Sequence, residues 1–210
     1  MTKALVIITG TFNPITKAHL EMGHIARSVL GDDTQVIYVP APAAFLQSWK
    51  QMKDTEIIQS SLRVKMIESA VTSCGFLCDT CEIDGAVSGK TYDTLTYLAN
   101  KYQVPKESTY LVCGSDKLSE LHTWYRAGDL LTDYHILVIQ REFDHVSSLI
   151  TKDSFLKQYQ DRFTITSGNE RLQTCSATKV REAIKVKDRK TITALMPEQA
   201  FCLLEGRIYG

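Results

Sequence analysis

Apolar positions along the chain fall into two alternating patterns. Short, largely apolar runs at residues 4–8, 35–39, 110–113 and 135–139 have the length of strands buried on both faces. Between them, apolar residues recur at helical spacing: Met22, Ile25, Ala26, Val29 and Leu30, then Met66, Ile67, Ala70 and Val71, then Tyr92, Leu95, Leu98, Ala99 and Tyr102. Gly31 is placed to end the first of these helices, and Pro40 and Pro42 close the second strand. An extended stretch is expected around residues 76–83, and a short helix before residue 135. Such alternation predicts a parallel α/β sheet covered by helices on both faces.

The last third is less regular. It predicts a helix near residues 155–159, a strand near 163–165, a helix over 176–184 capped by Ser176, and a final helix over 197–204 with Gly206 just past its end. Residues 40–60 form the longest irregular stretch, expected to be a loop that covers a substrate. No internal repeat or low-complexity segment breaks the chain, so residues 1–210 are expected to form a single domain.

Composition narrows the function. Twenty-four basic residues balance twenty-four acidic ones, so no global field draws nucleic acid or an anionic membrane, and an anionic ligand must be held by local groups. No apolar run approaches the ~20 residues that cross a bilayer. The opening MTKALVIITG has too short an apolar stretch for a cleavable signal, and six cysteines in 210 residues suit a reducing compartment. A cytoplasmic protein is therefore expected.

The chemistry concentrates where the first strand ends, in Gly10-Thr11-Phe12-Asn13-Pro14-Ile15-Thr16-Lys17-Ala18-His19. In an open parallel sheet, ligands bind at that turn. Gly10 admits close approach of a phosphate, and a helix starting at Thr16 offers free amides and a positive dipole end. Thr16 and His19, three apart, share a face of the first helical turn. Taken alone, the same residues also describe an ordinary turn, a capped helix and a surface histidine. The phosphate-binding loop that reads Gly-x-x-x-x-Gly-Lys-Ser/Thr is absent.

This segment resembles the nicotinamide and nicotinate mononucleotide adenylyltransferases, whose motif reads Gly-Ser-Phe-Asn-Pro-Ile-Thr-x-x-His, with Ala18 here in place of the usual glycine. A second segment, Ser176-Ala177-Thr178-Lys179-Val180-Arg181, is similar to the family's C-terminal Ile-Ser-Ser/Ala-Thr-x-x-Arg element. Independently of the likeness, it pairs a helix start with a fork-shaped cation suited to phosphate. Gly114-Ser115-Asp116 resembles a Gly-x-Asp element that binds the sugar end of the nucleotide. Thr123-Trp124-Tyr125 resembles the site where the family's tryptophan stacks on the pyridine ring. Lys90 to Leu95 resembles a Ser-Tyr-Thr-x-x-Thr-Leu element that touches the mononucleotide. Arg63 and Met66 resemble an Arg-x-x-Met helix, and Arg141 ends a strand where the family has arginine.

The resemblance implies a Rossmann-like open parallel sheet of nucleotidyltransferase type that joins the AMP of ATP to a pyridine mononucleotide. The implied ATP site is Gly10, Thr11, Phe12, Thr16, His19, Gly114, Asp116, Ser176, Thr178 and Arg181, with His19, Arg181 and Thr16 catalytic. The implied mononucleotide site is Asn13, Lys50, Tyr92, Thr94, Trp124 and Arg141. Between residues 41 and 53 the family's Pro-His-Lys type motif is missing, leaving Lys50 or Lys53 for its phosphate. Whether the substrate is the acid or the amide is therefore open. Self-association is also open.

A phosphate monoester has its second pKa near ~6, so the attacking phosphate is already anionic and needs no general base. The work left to the protein is holding two anions together and stabilising the leaving pyrophosphate, with Mg2+ carried in by ATP and no protein-bound metal. Cys74, Cys78 and Cys81 have the spacing of an iron–sulfur motif, yet they straddle a helix end and an extended stretch, so idle or buried thiols are expected. The alternatives to an adenylyltransferase of this family are a pantetheine-phosphate adenylyltransferase and a nucleotide sensor without turnover.

Overall fold

A computed structural model describes residues 4–48, 50–140 and 144–209. Six strands lie in one sheet: β1 (Ala4–Gly10), β2 (Thr34–Pro40), β3 (Leu77–Cys78), β4 (Thr109–Gly114), β5 (His135–Gln140) and β6 (Phe163–Ser167). Their spatial order is β3-β2-β1-β4-β5-β6 and every pairing is parallel. The expected Rossmann-like sheet is thus present, with its order reversing between β1 and β4, the switch point at which such sheets bind ligands.

The alternation of side chains along each strand sorts the core into two layers. Val6, Ile8, Val36, Tyr38, Leu137 and Ile139 face one side and pack with α1 (Lys17–Leu30), α3 (Ser60–Thr72), α9 (Ala177–Lys185), α10 (Arg189–Leu195) and α11 (Glu198–Tyr209). Leu5, Ile7, Ile37, Val39, Ile136 and Val138 face the other and pack with α4 (Thr91–Lys101), α5 (Ala127–Asp133), α6 (Val146–Lys152) and α7 (Ser154–Lys157). Two further helices, α2 (Ala43–Ser48) and α8 (Glu170–Thr174), follow β2 and β6.

Close packing of α1 on β2 depends on Gly23. A methyl group there would meet Tyr38 Oη at 2.5 Å and the Phe76 ring at 2.9 Å. Tyr38 Oη in turn donates to the His19 carbonyl at 2.8 Å, fixing the first turn of α1 over the sheet.

Several expectations change. Residues 40–60 are not a bare loop: they hold α2 and a short 3-10 turn at Asp54–Glu56. The extended stretch after α3 shrinks to the two residues of β3, followed by turns. The last helix does not stop before Gly206 but continues to Tyr209. Burial of Ile208 beyond the glycine offsets the ~1 kcal/mol that glycine costs inside a helix. Cys78 and Cys81 do not converge, because Cys74 and Cys78 pack in the α1 layer and Cys81 in the α4 layer. Burial pushes the Cys78 and Cys81 thiols up to about 12, so they are poor metal ligands. Among the described residues no helix is long and apolar enough to cross a membrane.

Candidate active site

A cleft of about 930 Å³ opens at the carboxyl ends of β1 and β4. Its base is the β1–α1 loop. Gly10 continues the β1 ladder to Pro40, and the Phe12 ring folds back to within 3.0 Å of where a Gly10 methyl would sit. Phe12 has φ +43° and is buried, with its ring edge-on to His19 at 5.0 Å. Thr16 then caps α1 with no exposure.

His19 is oriented by this cap. Its Nδ1 lies 2.9 Å from both the Thr16 amide nitrogen and Thr16 Oγ1. A backbone N–H can only donate, so Nδ1 is an acceptor and the neutral ring carries its proton on Nε2. Burial holds the ring's pKa down to about 4. At neutral pH His19 therefore offers the cleft an N–H donor and no full positive charge.

The loop itself is braced from behind by two arginines. Arg63, on α3 and without solvent exposure, donates from Nη1 to the Thr11 carbonyl at 2.6 Å. Arg181, on α9, donates from Nη1 to the Asn13 carbonyl at 2.9 Å and from Nη2 to Thr178 Oγ1 at 3.1 Å. Asn13 is buried, donating to the Glu56 carbonyl and accepting from the Ile58 amide, both at 2.9 Å. Loop carbonyls are thus drawn toward guanidinium groups, away from any bound anion, and two cations stand behind the loop.

Of the sequence-predicted site, Gly10, Thr11, Phe12, Thr16, His19, Lys50, Gly114, Asp116, Trp124 and Ser176 meet in the cleft wall. Ser176 caps α9, its Oγ accepting from the Lys179 amide at 3.3 Å. The Asp116 carboxylate curls over Gly114, where a methyl would meet its Oδ1 at 2.5 Å. Asn13, Tyr92, Thr94, Thr178 and Arg181 are not in the wall. Asn13, Thr178 and Arg181 make the loop-brace bonds given above. Tyr92 donates to Asp133 at 2.8 Å and Thr94 to Glu82 at 2.7 Å, both from the buried side of α4. Arg141 lies outside the described residues.

The start of α4 instead presents Lys90 and Thr91 to the cleft, with Glu82 beneath them. The Lys90 ammonium sits 4.2 Å from the Tyr125 ring centroid, which brings this helix start against the Trp124-Tyr125 segment. The helical period of Tyr92, Leu95 and Ala99 already pointed Tyr92 into the core. Nothing local marked Glu82. Lys117, also in the wall, is paired with Glu120 at 2.9 Å. Among the described residues no group of three or more His, Cys, Asp or Glu could hold a metal ion.

A cleft at the switch point of a 3-2-1-4-5-6 sheet, built on a glycine loop, a histidine at a helix start and a second capped helix, is the architecture of the α/β nucleotidyltransferase fold. The chain belongs to the cytidylyltransferase-like family, whose model matches residues 7–183. It is 30% identical to the probable nicotinate-nucleotide adenylyltransferase of Staphylococcus saprophyticus over 146 residues, 68% of this chain and 71% of that one. It is 29% identical to the protein of that name from Clostridium botulinum over 200 residues, 95% and 94% of the two chains. At 14% identity, the Plasmodium falciparum nicotinic acid mononucleotide adenylyltransferase complexed with APC shares its fold, with a TM-score of 0.70 covering 99% of this chain and 96% of that one.

Proposed function

We propose that the chain transfers the adenylyl group of ATP to nicotinate mononucleotide, forming deamido-NAD and pyrophosphate. The observation that carries this reading is the oriented His19, its Nε2–H set into a cleft whose loop is backed by Arg63 and Arg181. The mononucleotide phosphate oxygen attacks the α-phosphorus, a P–O bond to it forms, and the bond to the β-phosphate bridging oxygen breaks. Charge grows on the leaving pyrophosphate, where the Nε2–H donor and the starts of α1 and α9 act. Mg2+ would be carried by the ATP phosphates and would neutralise part of their charge.

The part of the cleft wall formed by Trp124 and Tyr125 supports binding of a flat heterocycle. Trp124 and Tyr125 supply aromatic faces there, and Lys50 supplies a cation for the mononucleotide phosphate. The names of the relatives favour the acid over the amide.

The test is pyrophosphate release from ATP with nicotinate mononucleotide, nicotinamide mononucleotide or phosphopantetheine as acceptor. The reading expects the highest kcat/KM with the nicotinate form. Turnover with phosphopantetheine alone, or with none of the three, refutes it.

A further inference from the structure

Glu82 is a carboxyl group 8% exposed in the wall of a cleft proposed to bind anions, which is an unfavourable place for an unpaired negative charge. Its Oε1 accepts from Thr94 Oγ1 at 2.7 Å, and Thr94 lies on the first turn of α4, its amide donating to the Lys90 carbonyl at 3.1 Å. Glu82 is therefore fixed under the same helix start that carries Lys90 and Thr91 and that abuts Tyr125. It has no ion pair among the described residues.

The charged groups on the surrounding elements are committed elsewhere. Asp79 pairs with Lys101 at 2.7 Å, Asp84 accepts from Thr80, Asp93 accepts from Ser88, and Lys90 lies over Tyr125. Cys81 is protonated, its thiol pushed up to about 12. Lys50, Asp116, Lys117 and Glu120 also border the cleft.

We infer that Glu82 reads the substituent on the pyridine ring and sets the choice between the acid and the amide mononucleotide. This rests on the adenylyltransferase reading and on the ring lying near Trp124. A protonated Glu82 donates a hydrogen bond to a ring carboxylate. An ionised Glu82 repels that carboxylate and accepts from a ring amide N–H. Burial raises the carboxyl to about 7, so the two forms exchange across neutral pH.

The experiment measures kcat/KM for nicotinate and nicotinamide mononucleotide from about pH 6 to about pH 8 and takes their ratio. Titration of the 5′-phosphate and of other groups common to both substrates cancels in that ratio. As pH rises the acid-to-amide ratio is expected to fall at least about tenfold, from loss of the protonated form that favours the acid and gain of the ionised form that favours the amide, for a group titrating near 7. Glu82→Gln keeps an acceptor for Thr94 and cannot titrate, so its ratio is expected to be flat. Calorimetry of nicotinate mononucleotide binding near pH 8, in buffers of different ionisation enthalpy, is expected to show proton uptake in the parent protein and loss of that uptake in Glu82→Gln.

A flat ratio in the parent protein, or a Glu82→Gln protein that keeps the parent slope and proton uptake, overturns the role of Glu82 and leaves the transfer reading standing. Failure of the parent protein to turn over either mononucleotide overturns both.

Discussion

Arg181 Nη1 donates to the carbonyl of Asn13 at 2.9 Å, tying α9 to the β1–α1 loop across 168 residues of sequence. The same guanidinium holds Thr178 Oγ1, so both arms of the fork are used inside the protein. Arg181→Lys keeps the charge but loses the planar fork whose separate Nη1 and Nη2 atoms reach the two acceptors. It is expected to lose turnover by about as much as Arg181→Ala, roughly tenfold to a hundredfold, as ~1.5–3 kcal/mol for a charged hydrogen bond implies. Full turnover in Arg181→Lys, measured at saturating substrates, would show that charge alone matters.

Arg63 braces the neighbouring carbonyl of Thr11 from a site without solvent. Arg63→Met preserves much of the volume and leaves that carbonyl unpaired, which costs about 1–3 kcal/mol. The thermal melt is expected to fall and KM for ATP to rise, with KM for the mononucleotide little changed. An equal rise in both constants would mean that the loop brace serves the fold and not the phosphate end of the cleft.

His19 is positioned by the Thr16 amide to offer Nε2–H, a preorganised donor. Loss of such a donor costs about 2.7–4 kcal/mol, on the order of a hundredfold to a thousandfold in rate. His19→Ala is expected to lose that much kcat while melting near the parent temperature. Near-normal turnover in a folded His19→Ala protein would remove the central element of the proposed function.

His19 also makes a pH prediction. Burial holds its folded pKa at about 4, below the unfolded value of 6.5. The unfolded chain therefore binds the extra proton first as pH falls, and stability is lost between about 6.5 and about 4. His19→Gln lacks this term, so melting curves across that range should show the parent protein losing stability faster than the variant. Parallel curves would mean that the ring titrates alike in both states.

Trp124 reaches the cleft beside Tyr125 and Lys90. Stacking of a base on an aromatic side chain is worth about 1–3 kcal/mol. Trp124→Ala is expected to raise KM for the mononucleotide roughly tenfold to hundredfold with little change for ATP. Equal effects on both substrates would make Trp124 a packing residue.

The sequence by itself determined the elements and the loop. Continuous apolar runs of strand length, such as residues 4–8 ahead of Gly10, read as strands buried on both sides, and the Gly10 to His19 segment places a glycine, a cap and a histidine within ten residues. Both are local properties, written in side-chain period and in the chemistry of a helix start. Tertiary structure decided which faces met. The partner of Arg181 is a carbonyl 168 positions away, Thr94 turned to Glu82 instead of the cleft, and Cys81 went to the sheet face opposite Cys74 and Cys78. Gly206 stayed inside α11 because Ile208 found a buried place beyond it. Each outcome depends on which distant element covers a given face, and a period read along the chain shows only that a face needs covering.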